Sequence, residues 1–345
     1  MRMNSRLWVL LGVLAVFCGS ARAEEATSVQ DSAIQLAACT ESYDTCAPAC
    51  CTPPWAHQSG VFGELLLLRA RDAEIAYGMS VNGAVPEGRV GVLDPEYDLG
   101  FRVGLTKALD HCSSFSLSYT NFNSSQDDRL DQAAPNSIQK LLVHPAEPNA
   151  AANVLTAFGA YDIDFQFADL DYRFVVLSND CTAANFTIGA RYGNLDQEMA
   201  VVYTGAGLTE SITTDIDFDG AGLRLGADIE HHGNRGLFVY GKTAASFLAG
   251  EFHANYLHAS TADPVRVASE WEAGRLVSIL DLEVGAGWQH CSGLRASVGY
   301  TFSSWLGTVK TDDWIDAVRN NGQSFRDLSD DFTFDGFVGR VEYRF

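Results

Sequence analysis

Residues Leu280-Asp281-Leu282-Glu283-Val284-Gly285-Ala286-Gly287-Trp288-Gln289 decide the fold, because apolar and polar side chains alternate through them without a break. A period of two puts Leu280, Leu282, Val284, Ala286 and Trp288 on one face of a strand and Asp281, Glu283 and Gln289, with two glycines, on the other. The next stretch repeats the arrangement, with Leu294, Ala296, Val298, Tyr300 and Phe302 set against Arg295, Ser297, Gly299, Thr301 and Ser303. Only His290-Cys291-Ser292-Gly293 separates the two runs, so they read as an antiparallel hairpin. Working outward, the pattern recurs at Leu99, Phe101, Val103 and Leu105, at Phe186, Ile188, Ala190 and Tyr192, at Leu223, Leu225, Ala227 and Ile229, and in the last residues, Phe337, Val341, Tyr343 and Phe345.

Alternation alone fits a soluble sandwich as well as a membrane barrel, since either has one apolar face. The connections separate the two. Short polar turns stand at 110–112, 178–181, 231–236 and 289–293, while long segments span 78–96, 126–163, 196–214, 250–277 and 306–331. Short turns at one end and long loops at the other are the organisation of an outer-membrane barrel. Strands are expected near 61–77, 97–109, 114–125, 163–177, 183–195, 214–230, 236–249, 278–289, 293–305 and 332–345. The expected fold is all-β: an antiparallel transmembrane β-barrel of about ten strands, or twelve if the loops hide a further pair, with short periplasmic turns and long extracellular loops. The apolar face then meets lipid, with girdle aromatics Tyr119, Tyr172, Trp288 and Tyr343. The polar face lines the lumen.

The beginning of the chain agrees with export. Arg2 and Arg6 precede an apolar run from Leu7 to Phe17, and Ala21-Arg22-Ala23 follows, which reads as a signal peptide over 1–23 cleaved after Ala23. That run falls short of the roughly 20 residues needed to span a bilayer as a helix, and no later run reaches that length. A membrane protein without such a helix must cross as a closed barrel. Residues 24–59 show no sustained period and carry Cys39, Cys46, Cys50 and Cys51 with Pro48, Pro53 and Pro54, so they are expected to be a periplasmic extension ahead of a barrel over 60–345. The formal net charge of −21 over 345 residues argues against a nucleic-acid partner, which needs a basic face.

Several motifs resemble a known family in their order along the chain. They are Gly60-Val61-Phe62-Gly63-Glu64-Leu65-Leu66-Leu67-Leu68-Arg69, Tyr97-Asp98-Leu99-Gly100-Phe101-Arg102-Val103-Gly104-Leu105, Ala168-Asp169-Leu170-Asp171-Tyr172, Gly222-Leu223-Arg224-Leu225-Gly226 and Leu237-Phe238-Val239-Tyr240-Gly241. Together they resemble the Legionella-type major outer-membrane protein family of pore-forming barrels, over most of 60–345. The Cys-bearing segment before Trp55 departs from that pattern. The resemblance implies location in the bacterial outer membrane and porin-like passive diffusion of small solutes or ions. Val341, Tyr343 and the terminal Phe345 likewise resemble the final strand that outer-membrane proteins present to the barrel-assembly machinery.

Physics qualifies the porin expectation, because eight strands are just filled by their side chains and a wide channel needs about 16. The expected lumen carries Asp98, Asp169, Asp171, Asp228, Glu230, Asp281, Glu283 and Glu342 against Arg102, Arg173, Arg191, Arg224, Lys242, Arg295, Arg340 and Arg344. These charges suit either a selective pore lining or an ion-pair network that closes the interior. Acidic loop residues Asp312, Asp313, Asp316, Asp327, Asp330 and Asp331 would give an open pore a cation preference. The alternative function is an occluded structural barrel crosslinked through its thiols, since Cys112, Cys181 and Cys291 fall in turns on the same side as the extension, in a compartment that permits disulfides. An odd number of mature cysteines leaves at least one thiol free or paired with another molecule, a neighbouring copy included.

Catalysis and cofactors are not expected. No Gly-x-Ser-x-Gly is present, and an outer-membrane barrel enzyme stands only as a minor alternative. Asp215-Ile216-Asp217-Phe218-Asp219-Gly220 starts like a calcium loop, but Gly226 occupies the twelfth position where a bidentate Glu is needed. The extension cysteines lack the paired spacing of zinc modules. His231, His232, His253 and His258 read as solvated surface residues.

Overall fold

The computed structural model describes residues 53, 55–147, 150–179, 181–205, 207–320 and 328–345. The expected signal peptide, Cys39, Cys46, Cys50, Cys51 and Asp327 lie outside the described residues. In chain order the elements are β1 (Gly60–Arg71), β2 (Ile75–Asn82), β3 (Val85–Leu93), β4 (Asp98–Asp110), β5 (Ser113–Asp131), β6 (Asn136–Lys140), β7 (Thr156–Ser178), β8 (Thr182–Gly205), β9 (Leu208–His232), β10 (Leu237–Ser260), β11 (Val267–Gln289), β12 (Leu294–Thr308), helix α1 (Thr311–Arg319) and β13 (Asp330–Arg344). Ten of the strands form one antiparallel ring in the order β1-β13-β12-β11-β10-β9-β8-β7-β5-β4, and it closes because β1 pairs with both β13 and β4. The remaining three form a separate sheet in the order β3-β2-β6.

Outward apolar residues mark the membrane zone. Leu65, Leu99, Leu223, Val298 and Phe337 are exposed, as are the expected girdle residues Tyr119, Trp288 and Tyr343, while Tyr172 is half-buried. All lie in the half of the ring nearest the short turns. The upper edge of this zone can be followed by register: Tyr119, Ala168, Tyr192, Ala221, Ala249 and Leu276 stand side by side around six strands. Two residues further up, the matching row reads Asn121, Gln166, Asn194, Asp219, Glu251 and Gly274. On these six strands the outward residues change from mostly apolar to mostly polar between the two rows.

Above that edge the strands continue with the opposite pattern. On β8, Ile188, Ala190 and Tyr192 face outward below the edge, and Asn194, Asp196 and Glu198 face outward above it. The inward side changes in the reverse sense, from Thr187 and Arg191 to Leu195, Met199 and Val201. Each inversion follows from the change of outer medium, because beyond the bilayer the outer face meets water and the inner face becomes the core. β9 has 25 residues, about 80 Å of strand. At the usual barrel tilt this rises roughly 60 Å, more than twice an apolar band about 25 Å tall.

This inversion corrects the expected loops. Segments 196–214 and 250–277 are largely strand, as is about half of 126–163, and β9 begins at Leu208 shortly after β8 ends at Gly205. The expected strand 61–77 is broken: at Asp72, whose φ is 55°, the chain leaves the wall and then enters the small sheet as β2. Aspartate tolerates this left-handed conformation better than most residues. Within 306–331 lies helix α1, which buries Trp314, Ile315, Ala317 and Val318. Its acidic first turn, Asp312 and Asp313, and its final Arg319 both complement the helix dipole.

Candidate functional site

The lumen has two storeys. The lower one, at membrane level, is built from inward positions of the strands, and most of the charged residues named from the sequence border its cavity. Glu64 on β1 is the hub of one ion-pair group, accepting from Arg102 Nη1 and Arg340 Nη1, each at 2.8 Å. Arg340 also donates to Glu342 at 3.0 Å, and Arg344 donates to the same carboxylate at 2.5 Å. A second group crosses the lumen from β8 to β11. Arg191 holds Asp169 with Nε and Nη2 at 2.7 and 3.0 Å and reaches Asp281 with Nη1 at 2.9 Å, and its guanidinium lies 4.2 Å from the centre of the Phe167 ring.

The other charges are matched too. Arg224 donates to Asp171 at 2.5 Å, Lys242 to Glu283 at 2.8 Å, and Arg173 Nε to Asp228 at 2.8 Å. Arg295 pairs with Glu230 at 2.8 Å. Asp98, at the top of β4, accepts from Ser124 Oγ at 2.7 Å. Glycine makes one of these pairings sterically feasible, since a Cβ at Gly189 would stand 2.1 Å from Asp171 Oδ1. A cavity of about 240 Å³ remains between the charges, and Trp55, Ala56, His57 and Gln58 form its periplasmic floor.

The upper storey is apolar. Phe122 on β5, Phe165 and Phe167 on β7, Trp305 on β12 and Phe332 and Phe334 on β13 are all buried and join one core. Phe167 and Trp305 stack with centroids 5.0 Å apart, and Phe165 meets Phe334 at 4.9 Å. β7 and β12 are five strands apart whichever way the ten-strand ring is counted, so this stack spans the full width of the lumen. Helix α1 lies over it, with Trp314 Nε1 donating to the Asn255 carbonyl at 3.2 Å and Gln197 Nε2 donating to the Val309 carbonyl at 2.8 Å. The β3-β2-β6 sheet caps one side, where Tyr203 donates to the Tyr77 carbonyl at 2.6 Å and Lys140 Nζ pairs with Glu210 at 2.5 Å in a buried site.

The family model described as the Legionella pneumophila major outer membrane protein precursor matches residues 50–345. The chain belongs to the Legionella major outer membrane protein family. Among solved structures this family member is similar to the outer membrane protease OmpT from Escherichia coli, at 10% identity and a TM-score of 0.48, covering 84% of this chain and 97% of the other. It is also similar to the Pseudomonas putida toluene transporter TodX (9% identity, TM-score 0.32, covering 83% and 89%) and the Ralstonia pickettii toluene transporter TbuX (8%, 0.25, covering 83% and 90%). A search of curated proteins finds no match. As a member of the Legionella major outer membrane protein family, the protein is an outer-membrane barrel.

Some placements in this family member depart from the sequence reading. Of the four histidines expected at the surface, His258 is fully buried on β10 and His232 is buried and turned toward Glu230, at 3.2 Å, while His231 and His253 are surface residues. Both corrected histidines occupy inward positions of strands read as turn or loop. Asp312, Asp313 and Asp316 belong to α1, and Asp330 and Asp331 begin β13, so they are not a loop cluster. Asp215, Asp217 and Asp219 share the outer face of β9. Among the described residues, no group of three or more His, Cys, Asp or Glu side chains is placed to hold a metal ion. Sequence reasoning overlooked Glu64, His57 and the ring layer. Glu64 was legible as the one charge within an apolar run, at an inward parity with Leu66 and Leu68.

Proposed function

We propose that this protein is a closed structural barrel of the outer membrane, non-conducting at rest, and not an open diffusion pore. The observation that carries this reading is the Phe167–Trp305 stack between opposite strands, which sets two buried aromatic rings across the width of the lumen. Two features support it. Every luminal guanidinium named above is held by a carboxylate, so none is left to receive a passing anion. Helix α1 would also have to move before any solute could descend. Passage of small solutes or ions would therefore require displacing both the rings and the helix.

The structural role draws on the placement of Cys112, Cys181 and Cys291 at or beside periplasmic turns, at the end of the barrel where the Cys-bearing extension joins β1. We assign these residues to crosslinks with the extension or with neighbouring molecules. The proposed role is not catalytic. The test is conductance of the full chain in planar bilayers, after heat-shifted gel mobility has verified folding and flotation has verified insertion. No steps are expected from the native sequence, and discrete steps are expected from Phe167→Ala combined with Trp305→Ala. Stable steps from the native sequence would replace this reading with the porin one.

A further inference from the structure

The residues just ahead of β1 are folded into the barrel mouth. Ala56 and His57 are 4% and 9% exposed. The His57 backbone N–H donates to the carbonyl oxygen of His111, in the β4–β5 turn, at 2.9 Å. Its imidazole places Nδ1 2.8 Å from Ser114 Oγ on β5 and Nε2 3.1 Å from Asn185 Oδ1 on β8. β7 stands between those two strands, so the ring lies across it and closes the cavity from below.

The surrounding hydrogen bonds fix the tautomer of the neutral ring. The Asp228 carboxylate can only accept, and Asn185 Nδ2 donates to it at 2.8 Å, which turns Asn185 Oδ1 toward His57. Nε2 must then carry the hydrogen, and Nδ1 is left to accept the Ser114 hydroxyl. A second proton would go to Nδ1, where the Ser114 hydroxyl can turn to accept it, so what opposes protonation is the burial of a cation beside Arg173. The charged groups facing the ring are Arg173 of β7, Asp228 of β9, Arg344 of β13 and Asp110 beside the turn, while β5 and β8 offer it only neutral partners. Burial, with Arg173, pushes His57 down to about 4 from an ordinary 6.5.

We propose that Trp55–Gln58 is an acid-released plug: neutral His57 latches the segment across the periplasmic mouth of the lumen, and protonation of His57 expels it. Because the latched imidazole is harder to protonate than the released one, docking is fully favoured above about pH 6.5 and is lost progressively as the pH falls toward 4. The ring layer higher in the lumen takes no part. Release opens the cavity to the periplasm without joining the two sides of the membrane, so its failure and that of the closed-barrel reading are separable.

The test uses the full chain folded in micelles and labelled with 5-fluorotryptophan, the Trp55 resonance being the one lost in Trp55→Phe. On acidification from pH 7.5 to 4 this resonance is expected to move to a water-exposed shift, with one midpoint between 4 and 6.5. His57→Gln keeps an amide donor and acceptor without a titrating charge, so its Trp55 resonance should hold its position throughout. A Trp55 resonance unmoved in the native sequence, or moving identically in His57→Gln, overturns the proposal. Should His57→Gln fail to dock at neutral pH, imidazole 15N shifts in the native sequence decide. His57 must titrate with the Trp55 midpoint, and a separate midpoint overturns the latch.

Discussion

Arg191→Met puts the closed interior to its most direct test. The Arg191 side chain is 1% exposed and Asp169 is 5% exposed, so both charges have left water, and the guanidinium makes two bonds to Asp169 and one to Asp281. Methionine keeps much of the apolar stem but removes the charge. Asp169 would then keep only the Arg224 guanidinium, at 3.9 Å, and Asp281 only the Ser303 hydroxyl, at 2.7 Å. Breaking a buried pair in this way costs about 3–5 kcal/mol, whereas a pair in lumen water contributes about 0–1 kcal/mol. With a urea slope near 2 kcal/mol/M, about 4 kcal/mol lowers the unfolding midpoint by about 2 M. The assay is urea unfolding in lipid vesicles, followed by tryptophan emission. Arg129→Met, which removes an exposed pair with Asp131, is the control and should lie within about 1 kcal/mol of the native sequence. Adding Asp169→Leu to Arg191→Met should recover part of the loss, because an apolar replacement leaves one fewer carboxylate stranded. A midpoint drop below about 0.5 M for Arg191→Met would mean that water screens the lumen and would refute the ion-pair closure.

Two further outcomes are expected. Leu225 faces lipid within the apolar zone, whereas Thr213 on the same face of the same strand lies above it. Leu225→Arg should therefore cost about 2–4 kcal/mol in vesicle unfolding and Thr213→Arg close to nothing, and equal costs would contradict the boundary drawn through Ala221 and Asp219. On non-reducing gels of whole membranes, the full-length protein should run as crosslinked or compacted species that reductant removes. Serine at Cys112, Cys181 or Cys291 should alter that pattern, and a pattern indifferent to both changes would count against a thiol-tied scaffold.

How the chain divides between lipid and lumen was legible from the residues alone. A strand inside a bilayer has only two faces, so the parity of Leu280, Leu282 and Val284 against Asp281 and Glu283 settles which side each residue takes, without reference to its neighbours. Turn composition added the hairpins and left ten membrane strands. The inversion above the membrane was also written locally, in Asn194, Asp196 and Glu198 following Ile188, Ala190 and Tyr192 at the same parity. Because the apolar parity switches there, the lipid-facing pattern ends at the membrane edge although the strands run on.

Other features have no local signature. Arg191 finds Asp281, and Phe167 stacks on Trp305, only because closure of the ring and the stagger of its strands bring distant wall positions to one height. The latch at His57 likewise depends on Ser114 and Asn185 arriving on either side of β7. Side-chain alternation told each residue whether to face inward; the three-dimensional closure of the ring decided what it would meet there, and so whether the inside is a passage or a core. The difference is physical, since facing is set by the backbone period of one strand, whereas meeting is set by the shear of all ten.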